Sequence, residues 1–573
     1  MLFKTVADVF LAIEQKSGRL EMTDLLSELF KKSTSKEIHT IIYLAQGILA
    51  PPYEGIDLGM GEQFALRAVA QVSGHSKEQI EKLYKKSGDL GITVEEVMNK
   101  RTQRSLNSQE MDVTEVYALF LKIAKTTGQG SQELKIKYLT ELLNNSSAVE
   151  ARFIVRFVLG RLRLGIGDPT ILDALSFSKT GDKSLRTELE RAYNVCSDLG
   201  YVGKIFFESP EKIVHFVVEP FKPLQPALAE RLSNPEEIIE KIGPCAIEFK
   251  FDGFRLQIHK KGSDIALYSR KLEKMTHMFP EIVAAVQALK AKELIFEGEA
   301  LAYNEKENRY YSFQQTIQRK RKHGISEASK ELPLKVFCFD LLYANGTDFT
   351  SESYTVRRKQ LERLIHSDLL MVSKKSNVST AKELDILFKQ SLTEGLEGIM
   401  AKDLTAPYTA GKRKFAWIKL KKSYGKSVDT VDGVIIGYYL GKGSRAEFEF
   451  GGLLLAVYNE DTQRLETVAR IGSGYTEEEM RLLQKMLEKI KTDAPPLQLE
   501  YRMTPDFWVE PTYVVEVAFD EITLSPTHTC GLKNEKGYAL RFPRLMKLRS
   551  DKSIREVTTT QEVIDLYEKQ HHR

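Results

Sequence analysis

Ile247-Glu248-Phe249-Lys250-Phe251-Asp252-Gly253-Phe254-Arg255 is the stretch on which the reading of this chain turns. Alternation assigns Ile247, Phe249 and Phe251 to one face of a strand and Glu248, Lys250 and Asp252 to the other. Asp252-Gly253 is the pair a two-residue type I′ turn favours, so a β-hairpin is predicted. A lysine is thereby set between two carboxylates. Lysine is a nucleophile only as the neutral amine, so nearby cations or desolvation must outweigh those carboxylates if Lys250 performs covalent catalysis. A solvated hairpin carrying a Glu/Lys/Asp ladder has the same pattern, and the stretch alone does not separate the two readings.

Downstream, charged residues recur at the ends and on the polar faces of predicted strands. Leu267-Tyr268-Ser269-Arg270 ends one strand on a cation. In Leu294-Ile295-Phe296-Glu297-Gly298-Glu299, alternation puts Glu297 and Glu299 on one face, where a carboxylate suits Mg²⁺. Leu334 to Tyr343 is a nearly continuous apolar run, read as a buried strand. Glu397-Gly398-Ile399-Met400-Ala401-Lys402 and Trp417-Ile418-Lys419-Leu420-Lys421 are two more strands. The second places Lys419 and Lys421 on one face, where their repulsion needs water or an anion such as a polyphosphate between them.

Upstream, the pattern is helical. Val6, Val9, Phe10 and Ile13 repeat at helical spacing, as do segments at Leu25–Phe30, Ile38–Leu49, Val113–Ala124 and Ile136–Leu143. A helix is predicted over Val149–Leu164, with Arg152, Arg156 and Arg163 close on one face and Arg161 nearby. These are candidate phosphate contacts, or a solvated helix face. Val217–Pro226 holds three prolines and reads as the linker that ends the helical region.

Toward the C-terminus, Thr430–Tyr439 and Gly451–Tyr458 open a series of short strands with glycine-rich turns. Thr476 followed by Glu479 has capping-box spacing, predicting one helix among them. Such a series suits a small barrel of the OB type. The basic segment Leu540–Lys552 follows.

Over the whole chain of 573 residues, Lys+Arg 83 against Asp+Glu 79 leaves a net charge of +4, so a nucleic-acid surface must come from local clustering. The four cysteines form no Cys-x-x-Cys pair, which argues against a zinc module or a disulfide framework and fits a reducing compartment. No apolar signal core and no membrane-length apolar run occur, so a cytoplasmic or nucleoid-associated protein is expected.

In order, Glu-x-Lys-x-Asp-Gly-x-Arg, Ser-Arg, Glu-Gly-Glu, Phe-Asp-Leu-Leu, Glu-Gly-Ile-Met-Ala-Lys and Trp-Ile-Lys-Leu-Lys closely resemble the nucleotidyltransferase motifs of ATP-dependent DNA ligases, of the archaeal and eukaryotic replicative type. The resemblance covers essentially the whole chain. It implies a multidomain protein: an all-α DNA-binding domain at 1–218, an α+β nucleotidyltransferase (adenylation) domain at 219–427, and a C-terminal β-barrel OB-fold with a final helix at 428–573. It further implies sealing of 5′-phosphate/3′-hydroxyl nicks in duplex DNA, in replication, repair and recombination, through a lysine-AMP intermediate.

Carried over by motif, Lys250 is the adenylated lysine, Glu248 meets the adenine edge and Phe339 stacks on the base. Arg255 and Arg270 contact the ribose and phosphate region. Arg413, Lys419 and Lys421 bind phosphates, and Glu299 and Glu397 hold the divalent metal. ATP and Mg²⁺ are the implied cofactors. Nicked DNA is the implied partner, a sliding clamp a further candidate, and the chain is expected to act as a monomer without a membrane. Glu297 stands where the family often has Asp. Leu540–Lys552 resembles the final family motif, whose basic residues, here Arg541, Arg549 and Lys552, orient pyrophosphate. Capping guanylyltransferases and RNA ligases share the lysine motif, but the long helical N-terminal region weighs against both. The missing four-cysteine module disfavours an NAD⁺-dependent ligase.

Overall fold

The computed structural model describes residues 1–571 except 17, 88, 101–108, 161, 233, 305–308, 312, 321–323, 422–429 and 441–450. Arg161 and the expected 427/428 boundary therefore lie outside the described residues. The chain divides into two compact units, Met1–Gln225 and Pro226–Arg573, and the division falls at the end of the proline-containing segment.

The first unit is helical. Helices Phe3–Glu14, Arg19–Lys31, Ile38–Gln46, Val113–Lys125 and Ser131–Asn144 carry the predicted apolar stripes. Val6, Phe10 and Ile13 are fully buried, as the spacing requires. The expected helix Val149–Leu164 is instead Ala148–Val158, closed by left-handed backbone at Gly160 and Arg163.

The arginine face is corrected with it. Arg156 is 2% exposed and donates to Asp89 and Glu14, Arg152 donates to Glu14 and Glu95, and Arg163 donates to Asp89. Burying guanidinium groups demands carboxylate partners, and Arg152 and Arg156 tie helices together through theirs rather than forming a solvated or phosphate-facing row, whereas Arg163, partly exposed, donates to Asp89.

The second unit is built on strands. In chain order they are β1 Leu228–Arg231, β2 Cys245–Lys250, β3 Phe254–Lys261, β4 Asp264–Ser269, β5 Glu293–Asn304, β6 Arg309–Tyr310, β7 Leu334–Ala344, β8 Thr347–Asp348, β9 Leu370–Val372, β10 Lys375–Val378, β11 Gly398–Asp403 and β12 Arg413–Lys421. The series continues with β13 Thr430–Tyr439, β14 Gly452–Asn459, β15 Arg464–Ile471, β16 Lys491–Thr492, β17 Leu499–Glu500, β18 Phe507–Val509, β19 Val514–Ala518, β20 Glu521–Ser525, β21 Cys530–Lys533, β22 Lys536–Arg541 and β23 Arg544–Leu548.

A five-stranded sheet runs β1-β12-β11-β2-β10, and a seven-stranded sheet runs β4-β3-β5-β7-β8 with β6 on β5 and β9 on β7. The C-terminal β-rich part has an eight-stranded sheet centred on β13, which pairs with β14, β18 and β19, plus the three-stranded β20-β22-β21. The predicted capping box is present: Thr476 caps helix Glu477–Glu488 together with Glu479. The chain thus has an all-α N-terminal part, an α+β central part and a C-terminal β-rich part.

The predicted hairpin is not formed. β2 belongs to the five-stranded sheet and β3 to the seven-stranded one, so Phe251–Gly253 crosses between sheets. Neither Asp252 nor Gly253 has the positive φ of a type I′ turn. Gly253 serves another purpose: a Cβ there would stand 2.3 Å from the Ala300 carbonyl oxygen. The glycine lets the crossover press against β5.

Candidate active site

The polar alternation of β2 becomes the floor of a pocket, because β11 lies between β2 and β12 in the sheet. Register aligns Ala246, Lys402 and Trp417 in one row, Glu248, Met400 and Lys419 in the next, and Lys250, Gly398 and Lys421 in the third. The opposite face carries Ile247, Ile399, Ala401, Ile418 and Leu420, buried with Ile238 and Leu384. Period-two alternation on adjacent strands separates a charged face from an apolar one. The seven-stranded sheet supplies a wall with Arg255, Glu299, Phe337 and Phe339. The C-terminal part closes the pocket with Arg549, Asp551, Lys552 and Glu556.

Lys250 donates to Glu397, not to the flanking Glu248 or Asp252. Glu397 also pairs with Lys421. Burial pushes the Glu397 carboxyl up, but Lys250 and Lys421 outweigh it and hold it well below the ordinary range. Glu248 is 3% exposed and saturated on one oxygen by Tyr354 Oη at 2.5 Å and Lys402 Nζ at 2.9 Å; Ser373 Oγ donates to the other at 2.8 Å. A carboxylate so fixed presents acceptors and no donor.

Arg255 is anchored rather than free. Its guanidinium donates to both Glu297 oxygens, at 3.2 and 2.7 Å, to the Ala227 carbonyl at 3.0 Å and to Tyr408 at 3.3 Å. It also stands over the rings of Phe339 and Trp417, at 5.3 and 5.4 Å. Glu297 therefore serves Arg255, while Glu299, next on the same face, lines the pocket. Burial pushes the Glu299 carboxyl up to about 7, with Lys250 and Arg255 pulling the other way.

Phe339 reaches the pocket through a bulge. Glu297 faces Asp340 and Gly298 faces Cys338, which leaves Phe339 the extra residue of β7. A β-bulge re-aims a side chain, and this one turns a residue of an apolar run toward the site. Asp340 is held by Arg357 at 2.7 and 3.0 Å.

The remaining predicted cations, except Arg541, are at the pocket. Arg270 pairs with Glu556 and Arg413 with Glu562. Burial pulls the Lys419 amine far below its ordinary value, against the attraction of Glu562. Arg549 and Lys552 line the pocket, whereas Arg541 is exposed on β22 and outside it.

Residues 226–421 match the family model described as the ATP dependent DNA ligase domain, 2–176 that of the DNA ligase N terminus, and 446–552 that of the ATP dependent DNA ligase C terminal region. A probable DNA ligase of Dictyoglomus turgidum is 47% identical over 573 residues, spanning 99% of this chain and 97% of the relative. The chain belongs to the ATP-dependent DNA ligase family. A DNA ligase of Saccharolobus shibatae is 40% identical over 588 residues, covering 100% of this chain and 98% of its own.

Sequence reasoning passed over several side chains that complete this ligase-family pocket. Lys402 was legible, since it closes the Glu-Gly-Ile-Met-Ala-Lys motif on the same face as Met400. Lys547 lies within the basic segment Leu540–Lys552, whereas Tyr354, Arg358 and Ser373 around Glu248, and Asp432 and Glu516 beside the closing cations, carry no local signal. They arrive from distant positions only through folding.

Proposed function

We propose that Lys250 takes AMP from ATP, that the adenylyl group passes to the 5′-phosphate of a nick, and that the 3′-hydroxyl then displaces AMP to seal duplex DNA. The observation that carries this reading is one lysine amine in a pocket where Lys419, Lys421, Arg413, Arg549 and Lys552 converge with Phe339 and the carboxylate of Glu248. Each transfer is an in-line displacement at phosphorus, so the work falls to positioning and charge neutralisation. Glu248 offers an acceptor oxygen to an exocyclic amine, Phe339 a ring face to the base, and the basic residues a cradle for the phosphates. Arg255, already committed to Glu297, acts by fixing that wall.

Mg²⁺ is held by one or two carboxylates with phosphates and water completing its shell. The oxygen donors Glu299 and Glu397 beside Lys250 fit that requirement, although no cluster of three His, Cys, Asp or Glu side chains occurs among the described residues. These two residues would hold the ion, which supplies charge neutralisation at the reacting phosphates. Among the described residues no helix is long and apolar enough to cross a membrane.

The test is sealing of a 5′-phosphorylated nick with Mg²⁺ and, in separate reactions, ATP, ADP, GTP or NAD⁺. Sealing with ATP supports the reading. Sealing with NAD⁺ alone, or none with any nucleotide, overturns it.

A further inference from the structure

Across three neighbouring strands of the C-terminal part, register sets Asp432 on β13 beside Glu516 on β19, and Glu516 beside Lys547 on β23. Two carboxylates directly opposite each other destabilise a sheet. The arrangement is tolerated because cations surround them. Asp432 takes Lys552 and Arg549, the latter at 3.6 Å. Glu516, only 9% exposed, accepts from Thr430 Oγ at 3.0 Å and faces Lys421 at 3.9 Å, Lys547 at 3.6 Å and Arg549 at 3.8 Å.

These contacts close a ring. Lys250 pairs with Glu397, Glu397 with Lys421, Lys421 with Glu516, Glu516 with Lys547, and Lys547 with Asp252 at 3.1 Å, two positions beyond Lys250. Acid and base alternate throughout. Lys250, Asp252, Glu397 and Lys421 come from the central part, whereas Glu516 and Lys547 come from the C-terminal part. Glu516 is the residue on which three cations converge, and none of the family motifs quoted above contains it.

We propose that Glu516 is a positioning residue for the transfer of AMP to Lys250, holding Lys421, Lys547 and Arg549 at the spacing the triphosphate needs. The inference rests on the reading of Lys250 given above. In that step the deprotonated Nζ bonds to the α-phosphorus, the bond from that phosphorus to the β-phosphate oxygen breaks, and the electron pair leaves with pyrophosphate; the amine proton goes to solvent. Glu516 touches no reacting atom. Without its charge, the three cations repel one another and lose their common anchor, yet each remains able to bind phosphate. The loss therefore falls on rate rather than on nucleotide affinity, since misplacing catalytic groups by an ångström costs on the order of a hundredfold.

The experiment uses the full chain and two reactions: covalent labelling by α-labelled ATP with Mg²⁺, and sealing of a pre-adenylated nick without ATP. Glu516→Gln is expected to slow labelling by roughly tenfold to a hundredfold at saturating ATP, without raising the KM for ATP, while sealing of the pre-adenylated nick is retained. Glu516→Asp, which keeps the charge, recovers part of the rate. Should Glu516→Gln fail to fold by thermal melting, Lys547→Gln, on the other side of the contact, is expected to slow labelling, with a higher KM for ATP because a phosphate-binding cation is lost, while sealing of the pre-adenylated nick is again retained. Labelling at the wild-type rate, or equal loss in both reactions, overturns the proposal. A wild-type chain that takes no label overturns the Lys250 reading itself, and the proposal with it.

Discussion

Glu397 meets Lys250 through both backbone and side chain: its N–H donates to the Lys250 carbonyl at 3.2 Å, and its carboxylate accepts from Lys250 Nζ. The contact follows from strand order. Gly398, the next residue, faces Lys250 on one side and Lys421 on the other, so a carboxylate at the start of β11 is delivered between two lysines by the ladder itself.

Replacing Glu397 by Ala is expected to lower nick sealing on the order of a hundredfold, the usual cost of removing a charge-stabilising group, while DNA affinity changes little. Glu299→Ala should behave alike. Steady-state sealing and equilibrium binding of nicked DNA, at low and high Mg²⁺, check this. A fall in affinity with no response to Mg²⁺ would make both roles structural.

Gly398 itself is constrained. Its φ is +147°, and a Cβ would stand 2.1 Å from the Leu420 carbonyl oxygen. Gly398→Ala is therefore expected to cost roughly 1–3 kcal/mol or more and to displace Glu397. Denaturant unfolding measures the cost; an unchanged midpoint would contradict the close approach of β11 and β12.

Much of this was legible in the sequence because it is encoded by local period. Alternation placed Glu248 and Lys250 on one face, and Lys419 and Lys421 on another, which became one continuous floor once β11 intervened. The Ile247–Arg255 hairpin failed because Asp-Gly signals a turn only when φ is positive; here the glycine answers a steric demand from β5, a partner nearly fifty residues away and invisible locally. The arginine face of Val149–Leu164 failed for a related reason. Helical spacing shows which residues share a side, not that Asp89 and Glu14 wait opposite them.

Arg156→Ala follows from that correction. Asp89 keeps Arg163 and the half-buried Glu14 keeps Arg152, but each loses one of its two cations, which should destabilise the helical unit by about 3 kcal/mol, the low end for breaking a buried pair. Chemical denaturation of the full chain, followed by a helical signal, is the check. Unchanged stability with weakened DNA binding would restore the phosphate role.

Lys552 gives a pH dependence. Burial lowers its amine to about 8, with Asp432 opposing, so the cation is present below that pH and lost above it. Its contribution to Lys250 labelling is expected to decline above about pH 8. Lys552→Arg keeps the charge throughout and should shift the alkaline decline upward. Superimposable rate profiles for the two proteins would exclude Lys552 from that step.

The most direct test of the account is to incubate the chain with α-labelled ATP and Mg²⁺ and locate the label by peptide mapping. A single acid-labile, phosphoramidate-type adduct on Lys250, absent from a folded Lys250→Arg protein because arginine is not deprotonated, is the predicted result. Label on another residue, or undiminished labelling of Lys250→Arg, would contradict it.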